Sequence, residues 1–212
     1  MALPATDDFN RGDSETLGPN WTISPTGSVD WTVLSNEASA EGTIGGRCGA
    51  LWNQDWFSAN QYCQVTVKAL NGSVGNAVFV TARHGPGTTA TYDTYAFGGV
   101  YSGSSETFLS KTRKVIDGAF TDLASAETPI AVDDLIRIEV RGVWMVGLVN
   151  GIQRVSPAAD GALASGAVGL LAVSSADDVN RVDDWEGGAI GSDLEPKGWH
   201  SVYPTVVATG SR

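Results

Sequence analysis

The chain has 212 residues, 42% of them hydrophobic, which is enough to bury one substantial core, so we expect a single folded domain. Its 13 basic and 24 acidic residues give a net charge of -11, which would repel both phosphate backbones and anionic membranes. We therefore expect neither nucleic acid nor a membrane as a partner. No run reaches the roughly 18 apolar residues of a membrane span, and the opening MALPATDDFNR lacks the basic and apolar parts of a signal peptide.

The first feature along the chain is the tripeptide Arg11-Gly12-Asp13, a sequence known from cell-adhesion signals, within DDFNRGDSETLGPNW. A three-residue match can arise in any chain. A working adhesion signal also needs an exposed, flexible loop tip, and the alternative is that the tripeptide belongs to the folded structure. The tripeptide alone does not decide between the two.

Many short strands separated by turns are indicated by 26 Gly, seven Trp and the scarcity of segments with helical periodicity. The predicted strands include, in chain order, QYCQVTVKAL, NAVFVTAR, TYAFGGVY, SETFLSK, LIRIEV and GAVGLLAVSS. Turn-forming clusters such as NGSVG and HGPGTT separate them. Short connections favour antiparallel pairing.

The two cysteines, Cys48 and Cys63, are too few for a disulfide scaffold, and the two scattered histidines do not complete a zinc site with them. If their segments form a hairpin centred between Asp55 and Trp56, the cysteines lie opposite each other and can form a disulfide. The alternative is that both are buried free thiols, because Cys behaves as a small hydrophobic residue.

The clearest strand is LIRIEV, in which Ile136, Ile138 and Val140 alternate with charged residues, as in a strand with one buried face. It is followed by two apolar runs joined by Asn150-Gly151. That dipeptide tolerates the positive φ angles of a type I′ turn, so we predict a tight hairpin there.

The alternation ends after Gly187, and we predict that residues 189–212 form a separate C-terminal tail. Proline restricts this segment to extended conformations, and its last residues include TVVATG, which could add a strand to a neighbour's sheet edge. The tail keeps apolar side chains that would anchor it to a partner subunit or to its own sandwich, namely Trp199, Tyr203, Val206 and Val207.

Three stretches together resemble the concanavalin A-like, laminin-G-type jelly-roll family: DDFNR, RIEVRGVWMVGLVNGIQRV and GAVGLLAVSSADDVNRVDDWEGG. Members often carry an opening F-x-R followed by Leu-Gly and a Trp, a strand that leads into an Asn-Gly hairpin, and a closing strand with Asp beside an aromatic residue. The matching positions here are Phe9, Arg11, Leu17, Gly18, Trp21, Asp184 and Trp185. The resemblance implies an all-β, antiparallel two-sheet jelly-roll sandwich over residues 1–188.

The resemblance also implies that the N-terminal segment lies beside the last strand of the sandwich. Phe9 would then be a core residue, and Arg11 would be placed to pair with Asp183, Asp184 or Glu186. On this basis we expect the Arg-Gly-Asp tripeptide to be part of the structure and not an adhesion site.

Enzymes with this type of sandwich include glycoside hydrolases, which need two carboxylates roughly 5 to 9 Å apart. Their Glu-x-Asp-x-x-Glu signature is absent, and Glu139, between Arg137 and Arg141, is expected to be a solvated surface charge and a poor general acid. Polysaccharide lyases of similar architecture use a histidine beside Tyr or Arg. The settings of His84 and His200 favour surface or turn positions, so we predict no catalysis.

We expect no cofactor and no metal, because phosphate loops, nucleophile elbows and metal-binding helices are missing. Calcium is bound by some relatives, and neighbouring aspartates supply suitable oxygen atoms. None has the alternating spacing of a calcium loop, so we expect solvated turn aspartates. The pairs are Asp7-Asp8, Asp133-Asp134, Asp177-Asp178 and Asp183-Asp184.

Carbohydrate binding is a second candidate role, because sugar rings stack on aromatic faces and lectin-like sandwiches present such residues on a sheet or at loop tips. Trp52 and Trp56 flank the turn-like NQD, Arg83 ends a predicted strand, and Tyr92 and Tyr95 follow a Gly-rich loop. The alternative is that most of these aromatic residues fill the core.

Laminin-G-type domains that open with a segment like PATDDFNR resemble tail and head-surface proteins of bacteriophages. This resemblance implies a non-enzymatic structural or adhesive protein of the virion surface, with other virion proteins, copies of itself or host-surface glycans as partners. The expected location is the virion, after synthesis in the host cytoplasm. The alternatives are a free lectin or carbohydrate-binding module and a diverged glycosidase or lyase.

Overall fold

The computed structural model describes residues 4–26, 29–42, 46–85, 92–174 and 180–191, and every regular element within them is a β-strand. None of these residues belongs to a helix that is long and apolar enough to span a membrane. In chain order the strands are β1 (Ala5–Asp7), β2 (Trp21–Thr26), β3 (Val29–Leu34), β4 (Glu37–Gly42), β5 (Gly46–Trp52), β6 (Gln61–Ala69), β7 (Ala77–His84), β8 (Thr94–Ser102), β9 (Thr107–Ile116), β10 (Ala119–Ile130), β11 (Leu135–Arg141), β12 (Trp144–Val149), β13 (Ile152–Gln153), β14 (Ala158–Ala159), β15 (Ala167–Ser174) and β16 (Asn180–Ala189).

The described strands form two antiparallel sheets, as the sequence predicted. One has nine strands in the order β13-β12-β11-β6-β16-β4-β3, with β1 on β16 and β14 on β12. The other has seven, in the order β10-β9-β8-β7-β15-β5-β2. Inward-facing side chains of both sheets share one main core, and this makes the molecule a sandwich.

The predicted alternation in β11 is confirmed, because Ile136, Ile138 and Val140 are all fully buried. The predicted hairpin is also confirmed: Asn150 and Gly151 have φ angles of 53° and 74°, as a type I′ turn requires, and they join β12 to β13.

Glu139 is buried, which corrects the expectation of a solvated surface charge. Its carboxylate accepts a hydrogen bond from Arg137 at 2.8 Å and one from Arg141 at 3.4 Å. Only 6% of Glu139 is exposed, so the two guanidinium groups that flank it also shield it from water. The alternation in β11 identified which side chains face the core. It did not indicate that arginine side chains cover Glu139 on the opposite face.

The N-terminal segment lies beside the last strand, as expected. Strand β1 pairs with β16, and Phe9 is fully buried with its ring centroid 6.0 Å from that of Trp21. Trp21 continues into an aromatic cluster with Trp52 and Trp185, whose centroids lie 4.8 to 5.5 Å from their neighbours. This cluster closes one end of the core.

The predicted partners of Arg11 were wrong. Its guanidinium donates to both carboxylate oxygens of Asp7, at 2.7 and 3.1 Å, and to the carbonyl oxygen of Leu17 at 2.6 Å. The reason is a turn at Phe9, where a positive φ of 48° brings Arg11 back over the strand it has just left. Asp13 accepts a hydrogen bond from the Ser35 backbone at 2.8 Å, so both charged side chains of the tripeptide serve the fold.

The two cysteines are free and buried, so the hairpin that would have placed them opposite each other was wrong. Cys48 lies in β5 and Cys63 in β6, and these strands belong to different sheets because the intervening segment crosses the sandwich. Burial raises the pKa of both thiols, to about 12 for Cys63. They are core residues.

The sandwich extends slightly beyond the predicted boundary at residue 188. Ala189 ends β16, and the backbone of Ile190 donates to the carbonyl oxygen of Asn60 at 2.8 Å. The predicted anchors of the tail, Trp199, Tyr203, Val206 and Val207, lie outside the described residues, as do His200 and the pair Asp177-Asp178.

Candidate functional site

A small cavity of about 120 Å³ lies at one end of the sandwich, where β5 and β7 end and β15 begins. Leu51, Ala167 and His84 form its inner part, and Trp52 forms a wall. The rim is supplied by the segment that follows β5, through Asn53, Asp55 and Trp56.

The rim is fixed to the sandwich on both sides. The Asn53 backbone donates to the carbonyl oxygen of Asn20 at 3.0 Å, and the Asn53 side chain donates to the carbonyl oxygen of Pro19 at 3.2 Å. On the other side, Phe57 is buried. Trp56, between these anchors, leaves 81% of its surface exposed. A rigid frame therefore presents a large open ring.

Trp52 and Asp55 connect the rim to the core. Trp52 is only 6% exposed and stacks on Trp185 with a centroid separation of 5.0 Å and an interplanar angle of 27°. Its indole Nε1 donates to Oδ2 of Asp55 at 3.0 Å. This bond holds the exposed carboxylate of Asp55 at the cavity rim.

His84 is buried at the inner end of the cavity, which corrects the prediction of a surface or turn position. Its Nδ1 shares a hydrogen bond with the Thr81 hydroxyl at 3.2 Å, whereas its Nε2 has no partner among the described residues. Burial lowers the pKa of His84 to about 4, so the imidazole is neutral near neutral pH. Nε2 is itself buried, and a β-carbon at Gly49 would lie 3.2 Å from it, so this atom is not open to a ligand.

Gly49 makes room for this histidine ring. A β-carbon at Gly49 would lie 2.9 Å from Cε1 of His84, closer than carbon atoms approach without displacement. The Tyr92 ring lies on the other side, with its centroid 5.3 Å from that of His84. The histidine is therefore positioned by close packing as well as by its hydrogen bond.

Arg83, a predicted sugar-binding residue, is used by the fold. Its guanidinium donates to the carbonyl oxygens of Ala59, Leu163 and Gly142, at 3.1 and 2.9 Å to the first and 2.6 Å to each of the others. Burial lowers the pKa of Arg83. The side chain joins three loops behind the cavity and does not reach its lining.

Tyr92 and Tyr95 are also interior residues, each with no exposed surface. The Tyr95 hydroxyl donates to the Asp160 carboxylate at 2.7 Å and accepts from the Leu163 backbone at 3.0 Å. Of the five residues predicted to bind sugar, the structure therefore brings Trp52 and Trp56 together at the cavity and places the other three behind it. Only Trp56 offers an open ring face.

Asn53, Asp55 and His84 line the cavity but were not predicted from the sequence as candidate site residues. The first two lie in WNQDW, where polar residues separate two tryptophans that cannot both continue a buried strand. That interruption was the available signal for a loop with an exposed aromatic residue. His84, within RHGPG, resembles a turn residue, and nothing local to it indicates burial.

The outer face of the seven-stranded sheet is largely covered by the chain itself. A second apolar cluster lies there, and Phe120 packs on Phe79 with centroids 6.4 Å apart. The guanidinium groups of Arg47 and Arg113 lie 4.8 and 5.1 Å from the centre of the Phe120 ring.

In the part of the chain that the structure describes, no three His, Cys, Asp or Glu side chains come together as metal ligands would. Among the acidic pairs, Asp7 is a structural residue that also accepts from the Trp21 indole at 2.8 Å. Asp133 accepts from Lys68 at 3.1 Å at an exposed position.

Comparison with protein-family models gives no match, and comparison with curated proteins gives none either. Solved structures do match. A carbohydrate binding module, CBM66 from Bacillus subtilis, superposes with a TM-score of 0.60 at 17% identity, covering 82% of this chain and 98% of the module. A Bacillus subtilis protein of unknown function with a galectin-like fold gives 0.62 at 10% identity, covering 84% and 94%.

The exoplasmic domain of VIP36, solved with Ca²⁺ and Man3GlcNAc, gives a TM-score of 0.57 at 14% identity, covering 87% of this chain and 91% of that domain. The structure of a LamA variant from Z. galactanivorans in complex with laminaritriose and laminaritetraose gives 0.53 at 8% identity, covering 86% of this chain and 97% of that one. Identities this low carry the fold alone. The fold of this chain is a galectin-like, concanavalin A-like jelly-roll sandwich.

Proposed function

We propose that this protein is a non-catalytic carbohydrate-binding domain whose sugar site is the cavity beside Trp56. The observation that carries the proposal is the exposed Trp56 ring, 81% open to solvent, on an anchored rim next to polar side chains. An indole ring that presents its face to solvent offers a large amphipathic surface on which a sugar ring can pack. Two domains of the same fold support the proposal, one named a carbohydrate binding module and one solved with Man3GlcNAc bound.

The site combines the two kinds of contact that a sugar needs. The apolar face of a pyranose or furanose ring packs on an aromatic face, and its hydroxyl groups require hydrogen-bond partners when they leave water. Trp56 supplies the first, and the exposed carboxylate of Asp55 supplies an acceptor for the second.

The size of the cavity limits what can enter it to part of one sugar unit. Its volume of about 120 Å³ is well below the roughly 300 to 1,000 Å³ of pockets that enclose drug-sized molecules. One hydroxymethyl or hydroxyl edge would enter the cavity while the ring stays on Trp56.

The rival function is glycoside hydrolysis, which enzymes with this type of sandwich perform, and the LamA variant solved with bound oligosaccharides shares the fold. Hydrolysis needs two carboxylates on either side of the scissile bond, roughly 5 to 9 Å apart. The lining of this cavity contains one carboxylate, Asp55, and the neutral His84. Binding without turnover is therefore the function that the site supports better.

The proposal is tested by screening the protein against immobilised oligosaccharides and measuring the best ligands by calorimetry, with product detection for turnover. We expect Trp56→Ala to weaken binding by about tenfold or more, because it removes the stacking surface. Val74→Ala is the matched control, since Val74 is 71% exposed but lies away from the cavity. Equal binding by wild type and Trp56→Ala, or glycan cleavage by the wild type, would contradict the proposal.

The location of this domain on a bacteriophage particle stays a prediction. The apolar side chains that would dock it lie in residues 192–212, outside the described part of the chain. Deleting residues 191–212 and measuring both folding and incorporation into particles tests that prediction separately from sugar binding.

A further inference from the structure

The charge at the cavity is carried by a single residue. Asp55 is the one carboxylate in the cavity lining, which contains no Lys or Arg, and burial keeps His84 neutral. A ligand therefore meets one negative charge at the rim and no positive charge from the lining.

Only one oxygen of the Asp55 carboxylate accepts a hydrogen bond from the described residues. Oδ2 accepts from the Trp52 indole at 3.0 Å, and among the described residues Oδ1 has no hydrogen-bond donor. No Lys or Arg forms an ion pair with Asp55 within the same part of the chain. Its charge is thus left facing the position that a sugar would occupy.

We infer that the site selects uncharged sugars and that Asp55 is the residue that determines this specificity. The inference rests on the proposed function and adds the ligand class. Oδ1 of Asp55 accepts a hydrogen bond from a sugar hydroxyl, which a neutral sugar offers. A uronic acid or a sulfated sugar instead brings a second negative charge to the same rim, against an overall chain charge of -11.

The fixed orientation of Asp55 makes this discrimination sharper than net charge alone would. The bond from the Trp52 indole fixes the carboxylate at the rim of the cavity that Trp56 also lines. Diffuse charge elsewhere on the surface is screened by salt within about 10 Å, whereas a contact within the site acts at a few ångströms.

The test compares matched pairs of oligosaccharides that differ only by oxidation at C6: glucose with glucuronate, galactose with galacturonate and mannose with mannuronate oligomers of equal length. Wild type, Asp55→Asn and Glu127→Gln are measured at low salt. Asn keeps the acceptor for Trp52 but removes the charge. Glu127 is exposed on β10 outside the lining, so its variant changes the net charge equally.

We expect wild type and Glu127→Gln to prefer the neutral member, and Asp55→Asn to lose about three- to tenfold of that preference. Unchanged selectivity in Asp55→Asn overturns the inference, as does a wild type that prefers acidic members. If Asp55→Asn binds neither member, wild type at about 0.5 M NaCl decides: a preference that persists supports a contact within the site, and one that disappears assigns it to diffuse surface charge and overturns the inference.

The same panel separates the two claims. Binding of neutral sugars that is lost in Trp56→Ala, together with unchanged selectivity in Asp55→Asn, keeps the proposed function and rejects the specificity residue. Absence of any glycan binding by the wild type rejects both.

Discussion

The N-terminal segment, residues 7–13, and the loop of residues 53–56 are both polar and both lie largely at the surface, yet the fold uses them differently. In the first, Arg11 binds Asp7, and Asp13 accepts from the Ser35 backbone. In the second, Trp56 is 81% exposed, and one oxygen of Asp55 has no donor among the described residues. The charged side chains of the Arg-Gly-Asp motif thus make intramolecular hydrogen bonds, whereas the loop of residues 53–56, which has no recognised motif, keeps side chains available to bind a ligand.

The comparison predicts that changes in residues 7–13 alter stability without altering binding. Phe9→Ala should have the largest effect, a loss of about 3 to 5 kcal/mol in the free energy of unfolding, because it empties a fully buried aromatic site. Denaturant unfolding measures this loss. A loss below about 1 kcal/mol would mean that the N-terminal segment is not part of the core.

His84 connects the cavity to stability through pH. Its pKa is lowered from 6.5 to about 4 in the folded state, so between these values the unfolded chain binds a proton that the folded chain does not. The contribution of neutral His84 to the free energy of unfolding is therefore complete above pH 6.5. It decreases by about 3 kcal/mol as the pH drops toward 4. Unfolding free energies of wild type and His84→Asn across that window should show a steeper slope for wild type. Parallel curves would contradict the buried, neutral histidine.

Arg11→Ala should cost about 1 to 2 kcal/mol, since it removes charge-assisted hydrogen bonds that are partly exposed to water. The measurement is again denaturant unfolding. Arg11→Lys should recover only part of the loss, because an ammonium group cannot bind both oxygens of Asp7 at once. Full recovery by Lys would show that charge alone matters there.

Asp13→Glu should have the smallest effect of these changes, within about 0.5 to 1 kcal/mol, because one exposed hydrogen bond to the Ser35 backbone is disturbed. Attachment of animal cells to surfaces coated with the protein should not depend on this substitution. Integrin-dependent attachment that disappears in Asp13→Glu would assign the tripeptide a recognition role after all.

The sequence predicted those parts of the structure that local rules determine. Alternation in LIRIEV located a buried face, Asn150-Gly151 located a hairpin, and Phe9 was identified as core through the family resemblance. The partner of Arg11 was not predicted because it depends on a turn at Phe9, and no residue type in that segment indicates such a turn.

The candidate site was predicted only in part, for a related reason. WNQDW indicated aromatic candidates, but which tryptophan is buried depends on where β5 ends and on the stacking of Trp52 with Trp185, a residue far away in the chain. Burial of His84 likewise depends on Gly49 in a neighbouring region of the sheet. Such long-range packing leaves no local pattern in either segment.

The most direct test of the contrast measures both unfolding free energy and glycan affinity for Trp56→Ala and Arg11→Ala. We predict that the free energy of unfolding of Trp56→Ala lies within about 0.5 kcal/mol of the wild-type value, because the Trp56 ring is exposed. We also predict that this variant loses about tenfold or more in glycan affinity, because the ring contacts the ligand. Arg11→Ala should be less stable by about 1 to 2 kcal/mol and bind within about twofold of wild type. The reverse pattern, with affinity lost in Arg11→Ala and retained in Trp56→Ala, would contradict it.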